Sequence, residues 1–415
     1  MPKPSSALFT GMALGSAGLL IWPAALATPA PLSAPPPLLA QPLHTRASCP
    51  ALQRRVELTL GSESSVWSVT ILDGQGQLLA DVNGRRPRVP ASNQKLISTA
   101  FALDRLGPSH RLSTRLWQLP DGRLRLTGQG DPDLDLPRLQ RIARQALAQT
   151  AGTAVRLELA EEPASSWWPE GWHPGDRTQH YGAPITRLAV TSNEVGSAVS
   201  NPPSRLQRLL ANAASQQGGT VQLTMVSARL PLPEGAVLVH EEPSVALLGL
   251  LGFANTDSHN FTSEVLLREA AGTWDLADAQ RQATDWLSRQ GVPMEGVRIV
   301  DGSGLDRSNR LTTRSLAALL LRMDRHPHAA TYAESMAIAG RRGTLRNLYV
   351  NTSLAGQFRG KTGTLTGVRA ITGILNTADG PRYVSAISNG AGSPNTTIGS
   401  ILRQAQDPAV CRSPV

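Results

Sequence analysis

The chain has 415 residues, enough for two or three domains, and 40% of them are apolar, which allows a real hydrophobic core. Its formal net charge is +9 at pH 7, but its basic residues form no run and no stripe interleaved with aromatic side chains. This pattern argues against a nucleic-acid-binding surface. An arginine-rich solvated surface explains the charge most simply, and contact with an anionic surface such as cell-wall polymer is the other interpretation.

The first residues are typical of a secretory signal peptide. Lys3 is followed by a moderately apolar run at 7–24 and by the small-x-small sequence Ala25-Leu26-Ala27. We therefore expect residues 1–27 to be removed and residues 28–48 to form a lead-in rich in proline and alanine. The protein would then act in the periplasm or at the cell wall. An uncleaved anchor is the alternative, although the apolar run is short for a membrane span.

Two cysteines, Cys49 and Cys411, stand near the beginning and the end of the predicted folded region. In an oxidising compartment, a pair placed in this way is a candidate disulfide that ties the two ends together. Two free thiols are the alternative. Neither cysteine lies beside a motif, so we assign neither of them a catalytic role.

The apolar pattern divides the rest of the chain into an α/β domain formed by residues 49–110 and 240–415 and an inserted α+β domain at 111–239. Strands are predicted at 66–72, 79–82, 112–119, 124–127, 155–160, 221–226, 297–300, 368–376 and 383–388. Helices are predicted at 92–106, 136–147, 205–216, 244–253, 263–270, 276–290, 313–324 and 397–406.

A serine and a lysine three residues apart, Ser92 and Lys95, open the first long helix. Positions i and i+3 share a helix face, so an uncharged lysine there can act as the base that makes the serine nucleophilic. The free N–H groups and the positive dipole end of a helix start also favour an alkoxide or a developing oxyanion. A helix-start serine beside an ordinary surface lysine is the alternative explanation of this spacing.

The use of lysine strengthens the catalytic interpretation. The chain has 37 arginines, and outside the targeting segment its only lysines are Lys95 and Lys361. Arginine carries positive charge but cannot accept a proton, whereas the pKa of lysine falls readily when it is desolvated or lies beside another cation. Lysine at these two positions therefore indicates chemistry, and we expect Lys361 to help keep Lys95 uncharged.

Two further motifs accompany this pair. Lys361-Thr362-Gly363-Thr364 precedes a predicted strand and combines a cation, hydroxyl donors for a carboxylate and a glycine that lets backbone approach a ligand. In Ser258-His259-Asn260, between two predicted helices, Ser258 can relay a proton and Asn260 can hold Lys95 or donate to a substrate amide. An ordinary turn is the alternative for that segment. The ordered set Ser-x-x-Lys, Ser-x-Asn and Lys-Thr-Gly is typical of class A β-lactamases and penicillin-binding proteins.

With these motifs, the chain resembles the penicillin-binding acyl-serine transferases. The long interval between Ser92 and Ser258 is similar to that of one group among them, the DD-carboxypeptidases and endopeptidases of peptidase family S13, the DacB or class C low-molecular-mass type. The resemblance covers nearly all of the chain after Cys49 and includes Asp301-Gly302-Ser303-Gly304-Leu305, which we interpret as a structural turn beside the site. Asp306 departs from the serine expected after this segment.

The resemblance implies a penicillin-binding or serine β-lactamase-like transpeptidase fold, an antiparallel sheet flanked by helices, interrupted by the inserted domain. It also implies a serine-type DD-peptidase that removes terminal D-alanine from peptidoglycan stem peptides, or cleaves their D-alanyl cross-links, through an acyl-serine. β-Lactams would be covalent inhibitors. The implied catalytic residues are Ser92, Lys95, Ser258, Asn260 and Lys361, and the implied substrate-binding residues are Thr362, Gly363, Thr364 and Asp176. Asp176, in a tryptophan-rich loop of the insertion, would meet the amino group of a diaminopimelate-type side chain.

Two other functions stay open at this point. A β-lactamase or esterase of the same fold needs a dedicated deacylation base, and no Glu-x-x-x-Asn helix element is evident. A non-catalytic cell-wall binding protein would not need both motif lysines and the serine. The eight histidines show no metal-ligand spacing, so we expect no metal and no cofactor. The sequence leaves open whether the chain forms a homodimer.

Overall fold

The computed structural model describes residues 46–150 and 154–411. The predicted signal peptide (1–27) and most of the predicted lead-in (28–48) lie outside the described residues. Within the described ranges, no helix is both long and apolar enough to cross a membrane.

Thirteen strands and ten α-helices are found in this part of the chain. The strands are β1 (Trp67–Leu72), β2 (Leu78–Val82), β3 (Ser113–Gln118), β4 (Leu124–Gly128), β5 (Ala154–Glu161), β6 (Glu194–Val195), β7 (Ser197–Ala198), β8 (Thr220–Ser227), β9 (Val237–Pro243), β10 (Ala337–Ile338), β11 (Phe358–Leu365), β12 (Val368–Thr377) and β13 (Gly380–Asn389). The helices are α1 (Pro50–Leu60), α2 (Lys95–Leu106), α3 (Leu136–Ala148), α4 (Pro202–Ser215), α5 (Leu247–Asn255), α6 (Asn260–Ala271), α7 (Leu276–Arg289), α8 (Thr313–Asp324), α9 (Ala329–Glu334) and α10 (Pro394–Gln406).

The larger sheet is antiparallel throughout and has the order β10-β11-β12-β13-β1-β2. Its two faces are covered by separate apolar clusters. One cluster contains the buried sides of α2 and α5 to α8, and the other contains those of α1 and α10. Successive residues of a strand point to opposite faces of the sheet. Because both faces of the central strands are covered, apolar residues follow one another along these strands instead of alternating with polar ones. This arrangement confirms the predicted fold class, an antiparallel sheet flanked by helices.

The smaller sheet lies between residues 113 and 243 and has the order β8-β5-β4-β3-β9. The β4, β5 and β8 strands run parallel to one another, and β3 is antiparallel to both of its neighbours. Leucines of α3 and α4 pack against one face of the sheet and form a third core. The last strand, β9, pairs with β3 as far as Pro243, so it runs across the boundary predicted after residue 239. The division into domains itself stays a prediction.

The two ends of the described chain are joined on one face of the larger sheet. A disulfide links Cys49 and Cys411, whose Cα atoms are 5.3 Å apart, so the alternative of two free thiols is wrong. Cys49 directly precedes α1, and α1 packs with α10 in the same cluster. Sequence patterning missed α1 because its buried positions, Leu52, Val56 and Leu60, form a single row four residues apart.

The strand predicted at 297–300 is wrong. Arg298 forms only an isolated bridge with Arg310, and Ile299 packs into the helical cluster instead of a sheet face. A run of four residues with three apolar side chains does not by itself distinguish a strand from a loop that covers a helix.

Candidate active site

Ser92 and Lys95 meet where the 3₁₀ turn Ala91–Gln94 passes into α2. The predicted contact is present, with 3.1 Å between Lys95 Nζ and Ser92 Oγ. Lys95 is wholly buried, whereas Ser92 is only half-buried and so faces accessible space. Ala91 has a φ of 47°, in the left-handed region that disfavours side chains, so its neighbours must hold the turn that presents Ser92.

The ammonium group of Lys95 has two further contacts. Nζ lies 2.6 Å from Asn260 Oδ1 and 2.7 Å from the carbonyl oxygen of Ser303. Burial lowers the pKa of Lys95 to about 7, while attraction to the carboxylates of Asp301 and Glu264 opposes the shift. Burial is therefore the main reason why the amine is available as a base, and Lys361, from which we expected a contribution, is not among the causes of this shift.

The turn that contains Ser303 is built around the buried carboxylate of Asp301. Four donors reach its two oxygens within 2.9 Å: the backbone N–H groups of Gly304 and Asp306, Asn309 Nδ2 and Trp172 Nε1. Burial, together with nearby Glu264, raises the pKa of Asp301 to about 6. The turn is thus structural and beside the site, as predicted. The hydrogen bond from Trp172 to Asp301 connects this turn to the inserted segment.

A second pair of serine and lysine lies beside the first. Lys361 Nζ is 2.8 Å from Ser258 Oγ and 2.9 Å from the carbonyl oxygen of Thr362. Lys361 is wholly buried, and its pKa is lowered well below the usual value, first by burial and then by repulsion from Lys95. Ser258, in the loop between α5 and α6, has a φ of 65°. Strained backbone therefore presents both serine hydroxyls.

The Lys-Thr-Gly motif lies on the part of β11 that pairs with only one neighbouring strand, β12. Among the described residues, β10 pairs only with Arg359 and Gly360, so β11 has an open edge from Lys361 onward. Such an edge can accept a further extended chain through backbone hydrogen bonds.

The hairpin between β11 and β12 determines which N–H groups face that edge. Its two-residue loop makes Leu365 and Val368 a hydrogen-bonded pair. Because hydrogen-bonded and non-hydrogen-bonded pairs alternate, the backbone N–H groups of Thr362 and Thr364 point away from β12, toward the open edge.

Gly363 lets β11 approach the turn that carries Ser92. A Cβ atom at this position would lie 2.7 Å from the carbonyl oxygen of Pro90 and 2.9 Å from Asn93 Nδ2. Asn93 also donates from Nδ2 to the carbonyl oxygen of Lys361, at 3.2 Å. The glycine of the motif is therefore required by close packing, and the strand and the turn are joined by hydrogen bonding.

The hydroxyl groups of Thr362 and Thr364 have partners that the sequence analysis did not identify. Thr362 Oγ1 is 2.9 Å from Thr344 Oγ1, and Thr364 Oγ1 accepts a hydrogen bond from Nη1 of Arg369. The position of Arg369 could have been found from the sequence, because a two-residue hairpin loop places it directly opposite Thr364. Thr344 belongs to a short 3₁₀ turn far away in the chain, and no sequence signal indicates it.

Asp176 lies at the edge of this group. Its carboxylate accepts a hydrogen bond of 3.0 Å from the hydroxyl of Tyr181, and the carbonyl oxygen of Tyr181 accepts one of 2.8 Å from Asn260 Nδ2. Asp176 is thus linked to the site through Tyr181 rather than by direct contact. The amide donor of Asn260, which we expected to face a substrate, is bound to the inserted segment in this structure.

The predicted residues therefore fall into three groups. Ser92, Lys95, Asn260, Ser258 and Lys361 form two adjacent clusters of hydroxyl, amine and amide. The backbone of Thr362, Gly363 and Thr364 lines the neighbouring strand edge, and Asp176 is peripheral.

Most of the chain is similar to known proteins. The chain matches the D-Ala-D-Ala carboxypeptidase 3 (S13) family at residues 56–203 and 192–405. The D-alanyl-D-alanine carboxypeptidase of Actinomadura sp. (strain R39) is 26% identical over 433 residues, covering 80% of this chain and 79% of that protein. Carboxypeptidase DacB of Mycolicibacterium smegmatis is 28% identical over 349 residues, covering 78% of this chain and 76% of that protein.

A solved structure gives the same fold. Penicillin-binding protein 4 (dacB) from Haemophilus influenzae aligns with a TM-score of 0.73 at 18% identity, covering 84% of this chain and 97% of that protein. At this identity the likeness supports the fold, and the family match over most of the chain supports the activity. The chain belongs to the S13 family of D-Ala-D-Ala carboxypeptidases and is a serine-type DD-peptidase.

Proposed function

We propose that Ser92 is the nucleophile of this DD-peptidase and that Lys95 is its general base. The observation that carries the proposal is the burial of Lys95 beside Ser92, with 3.1 Å between amine and hydroxyl and a pKa of lysine lowered to about 7. An amine with that pKa is about half uncharged at pH 7 and can accept the serine proton.

The reaction then proceeds in two stages. Ser92 Oγ attacks the carbonyl carbon between two D-alanine residues while its proton passes to Lys95 Nζ. The backbone N–H groups of Ser92 and Thr364 hold the oxyanion, in support of which Thr364 N–H faces the open edge of β11. Ser258, with Lys361, delivers a proton to the leaving amine, and water later hydrolyses the acyl-serine. Asn260 orients Lys95 through the bond of 2.6 Å to its Oδ1.

The substrate is proposed to lie along β11. Its peptide backbone would pair with the open edge, and its terminal carboxylate would meet the hydroxyl groups of Thr362 and Thr364 and the amine of Lys361. Gly363 provides the close approach between this strand and the serine. Asp176, half-buried at the periphery, would meet the amino group of a diaminopimelate-type side chain.

The proposed substrates are peptidoglycan stem peptides outside the cytoplasm, which is consistent with the disulfide between Cys49 and Cys411 and with the signal peptide predicted at 1–27. β-Lactams are proposed to acylate Ser92 and to leave slowly. A likeness supports this: a Bdellovibrio bacteriovorus endopeptidase solved as its penicillin G acylated form aligns with a TM-score of 0.51 at 18% identity, covering 81% of this chain and 89% of that protein.

Incubation with a pentapeptide monomer and with a cross-linked dimer, followed by mass spectrometry, measures the balance between carboxypeptidase and endopeptidase action.

The direct test is Ser92→Ala. We expect this variant to lose covalent labelling by a fluorescent penicillin and to lose release of D-alanine from a pentapeptide, because no other group would form the acyl-enzyme. Ser288→Ala, which changes an exposed serine on α7, serves as the matched control and should be labelled normally. Labelling of the Ser92→Ala variant at the wild-type level would refute the nucleophile.

A further inference from the structure

Arg369 lies beside the open edge of β11, along which the substrate is proposed to lie, and has no assigned role. It stands directly opposite Thr364 in the ladder between β11 and β12. This is a non-hydrogen-bonded pair, the kind in which the two side chains come closest on one face of the sheet. Nη1 of Arg369 donates to Thr364 Oγ1, so the guanidinium reaches the hydroxyl that borders the open edge.

The charge of Arg369 lacks a counterion. Within residues 46–150 and 154–411, no carboxylate forms an ion pair with it, and Thr364 Oγ1 is the one hydrogen-bond acceptor found for its five N–H donors. Its Nε is buried without an acceptor. A buried donor without an acceptor is costly in the free protein, and a half-buried guanidinium with open N–H groups is favourable for an incoming anion.

A second arginine, Arg403 of α10, lies beside the same aromatic ring as Arg369, the ring of Tyr349. Tyr349 is flanked by Arg369 and by Arg403 of α10, and both arginines oppose the rise in the pKa of Tyr349 to about 12 that burial causes. Arg403 donates to Ser400 at 3.2 Å on its own helix and has no contact with Thr364. The two arginines thus share one neighbour but differ in their access to the strand edge.

We propose that Arg369, together with Thr364, binds the carboxylate that lies next to the scissile amide of the substrate. The proposal rests on the proposed function of Ser92. A stem peptide that ends in D-alanine carries this carboxylate at its C-terminus. In a cross-link to a diaminopimelate-type residue, the carbon that bears the leaving amine also carries a carboxylate. One arginine can therefore serve carboxypeptidase and endopeptidase action alike.

Arginine suits this position because its charge does not depend on pH in the working range. The amine of Lys361, which also lies near the strand edge, has its pKa lowered well below the usual value by burial. A carboxylate that relied on Lys361 alone would depend on an amine whose charged form burial disfavours. With Arg369 holding the carboxylate, Lys361 stays available to move a proton through Ser258.

The experiment compares Arg369→Gln with wild type on two peptides, diacetyl-L-lysyl-D-alanyl-D-alanine and its C-terminal amide. For the carboxylate peptide, we expect kcat/KM of the variant to fall roughly 10- to 100-fold, mainly through KM, because a charge-assisted hydrogen bond is lost. For the amide peptide, variant and wild type should hardly differ. Arg369→Lys should recover part of the loss, and Arg403→Gln should behave like wild type on both peptides.

Three outcomes would overturn the inference. An equal loss on both peptides would show that Arg369 only supports the hairpin, and no loss on either would show that it does not meet the carboxylate. The inference would also be overturned, without any variant, if kcat/KM of wild type were equal for the carboxylate peptide and the amide peptide. Failure of the proposed function is separate: it would appear as D-alanine release by Ser92→Ala, whatever Arg369 does.

Discussion

The two lysines of the described chain are both wholly buried, and each contacts a serine hydroxyl. Burial disfavours the ammonium form of both lysines, and the amine of Lys95, whose pKa falls to about 7, can exchange protons near neutral pH, which arginine cannot do. Carboxylates of Asp301 and Glu264 act in the opposite direction on Lys95 and limit the shift. We propose that proton transfer, rather than charge, explains the residue type at these two positions.

Acylation by a β-lactam should depend on pH through Lys95. Its folded-state pKa is lowered from 10.5 to about 7, so the uncharged base dominates above pH 7 and the ammonium below it. We expect the second-order rate of acylation to fall about tenfold for each pH unit below about 6 and to level off above about 8. Stopped-flow measurement with a chromogenic cephalosporin checks this profile.

A variant isolates the cause of that profile. Lys95→Arg keeps a cation at the same place but cannot accept a proton, so acylation should be lost at every pH. A rate that stayed constant between pH 5 and pH 8 in wild type, or a near-normal rate in Lys95→Arg, would contradict general-base catalysis by this residue.

Three elements converge on the site: the start of α2, the loop between α5 and α6, and the strand β11. Close backbone packing holds them together. Gly304 has a φ of 82° and packs against the carbonyl oxygen of Ala91, so a side chain there would be strained and obstructed. Gly363 performs the corresponding task between β11 and Pro90. Glycine thus sets the distances of the turn at Gly304 and of the strand β11 from the backbone that presents Ser92.

Gly363→Ala should separate the strand from the serine. The added Cβ would come within 2.7 Å of the carbonyl oxygen of Pro90, so β11 must shift. We expect penicillin acylation to fall roughly 100-fold, because small displacements of reacting groups carry large rate penalties. Gly252→Ala, a change on α5 where a Cβ would meet nothing within 4 Å, should leave the rate unchanged. Normal acylation by Gly363→Ala would contradict this role of the glycine.

Several elements in and beside the site were predictable from the sequence because their patterns are local, but the strand β11, which carries Lys361, was not among the predicted strands. The helix predicted from Ser92 and the hairpin of β12 and β13 follow from apolar spacing and from turn residues at Asp379-Gly380. The three motifs can be recognised, but spacing says nothing about which distant side chains surround them. Thr344 and Trp172 reach the site through tertiary packing, and no local rule places them there.

At the scale of the whole molecule, the sequence predicted one layer of helices on the sheet better than the other. The cluster around α2 and α8 is large and strongly periodic, whereas the opposite cluster depends on α1 and α10, which come from the two ends of the described chain. The contact between them is long-range and could not be derived from either segment alone. The disulfide between Cys49 and Cys411 fixes this contact in a covalent bond.

Loss of the disulfide should destabilise the molecule without changing its chemistry. The bond closes a loop with a sequence separation of 362 residues, and a cross-link over so long a loop restricts the unfolded chain strongly. For the double variant Cys49→Ser and Cys411→Ser, we expect the free energy of unfolding to fall by about 3 to 5 kcal/mol. Penicillin labelling at 25 °C should persist, because the bond lies on the sheet face that carries α1 and α10, opposite α2. Denaturant titration of variant, oxidised and reduced wild-type protein measures the difference, and coincident midpoints for all three would contradict it.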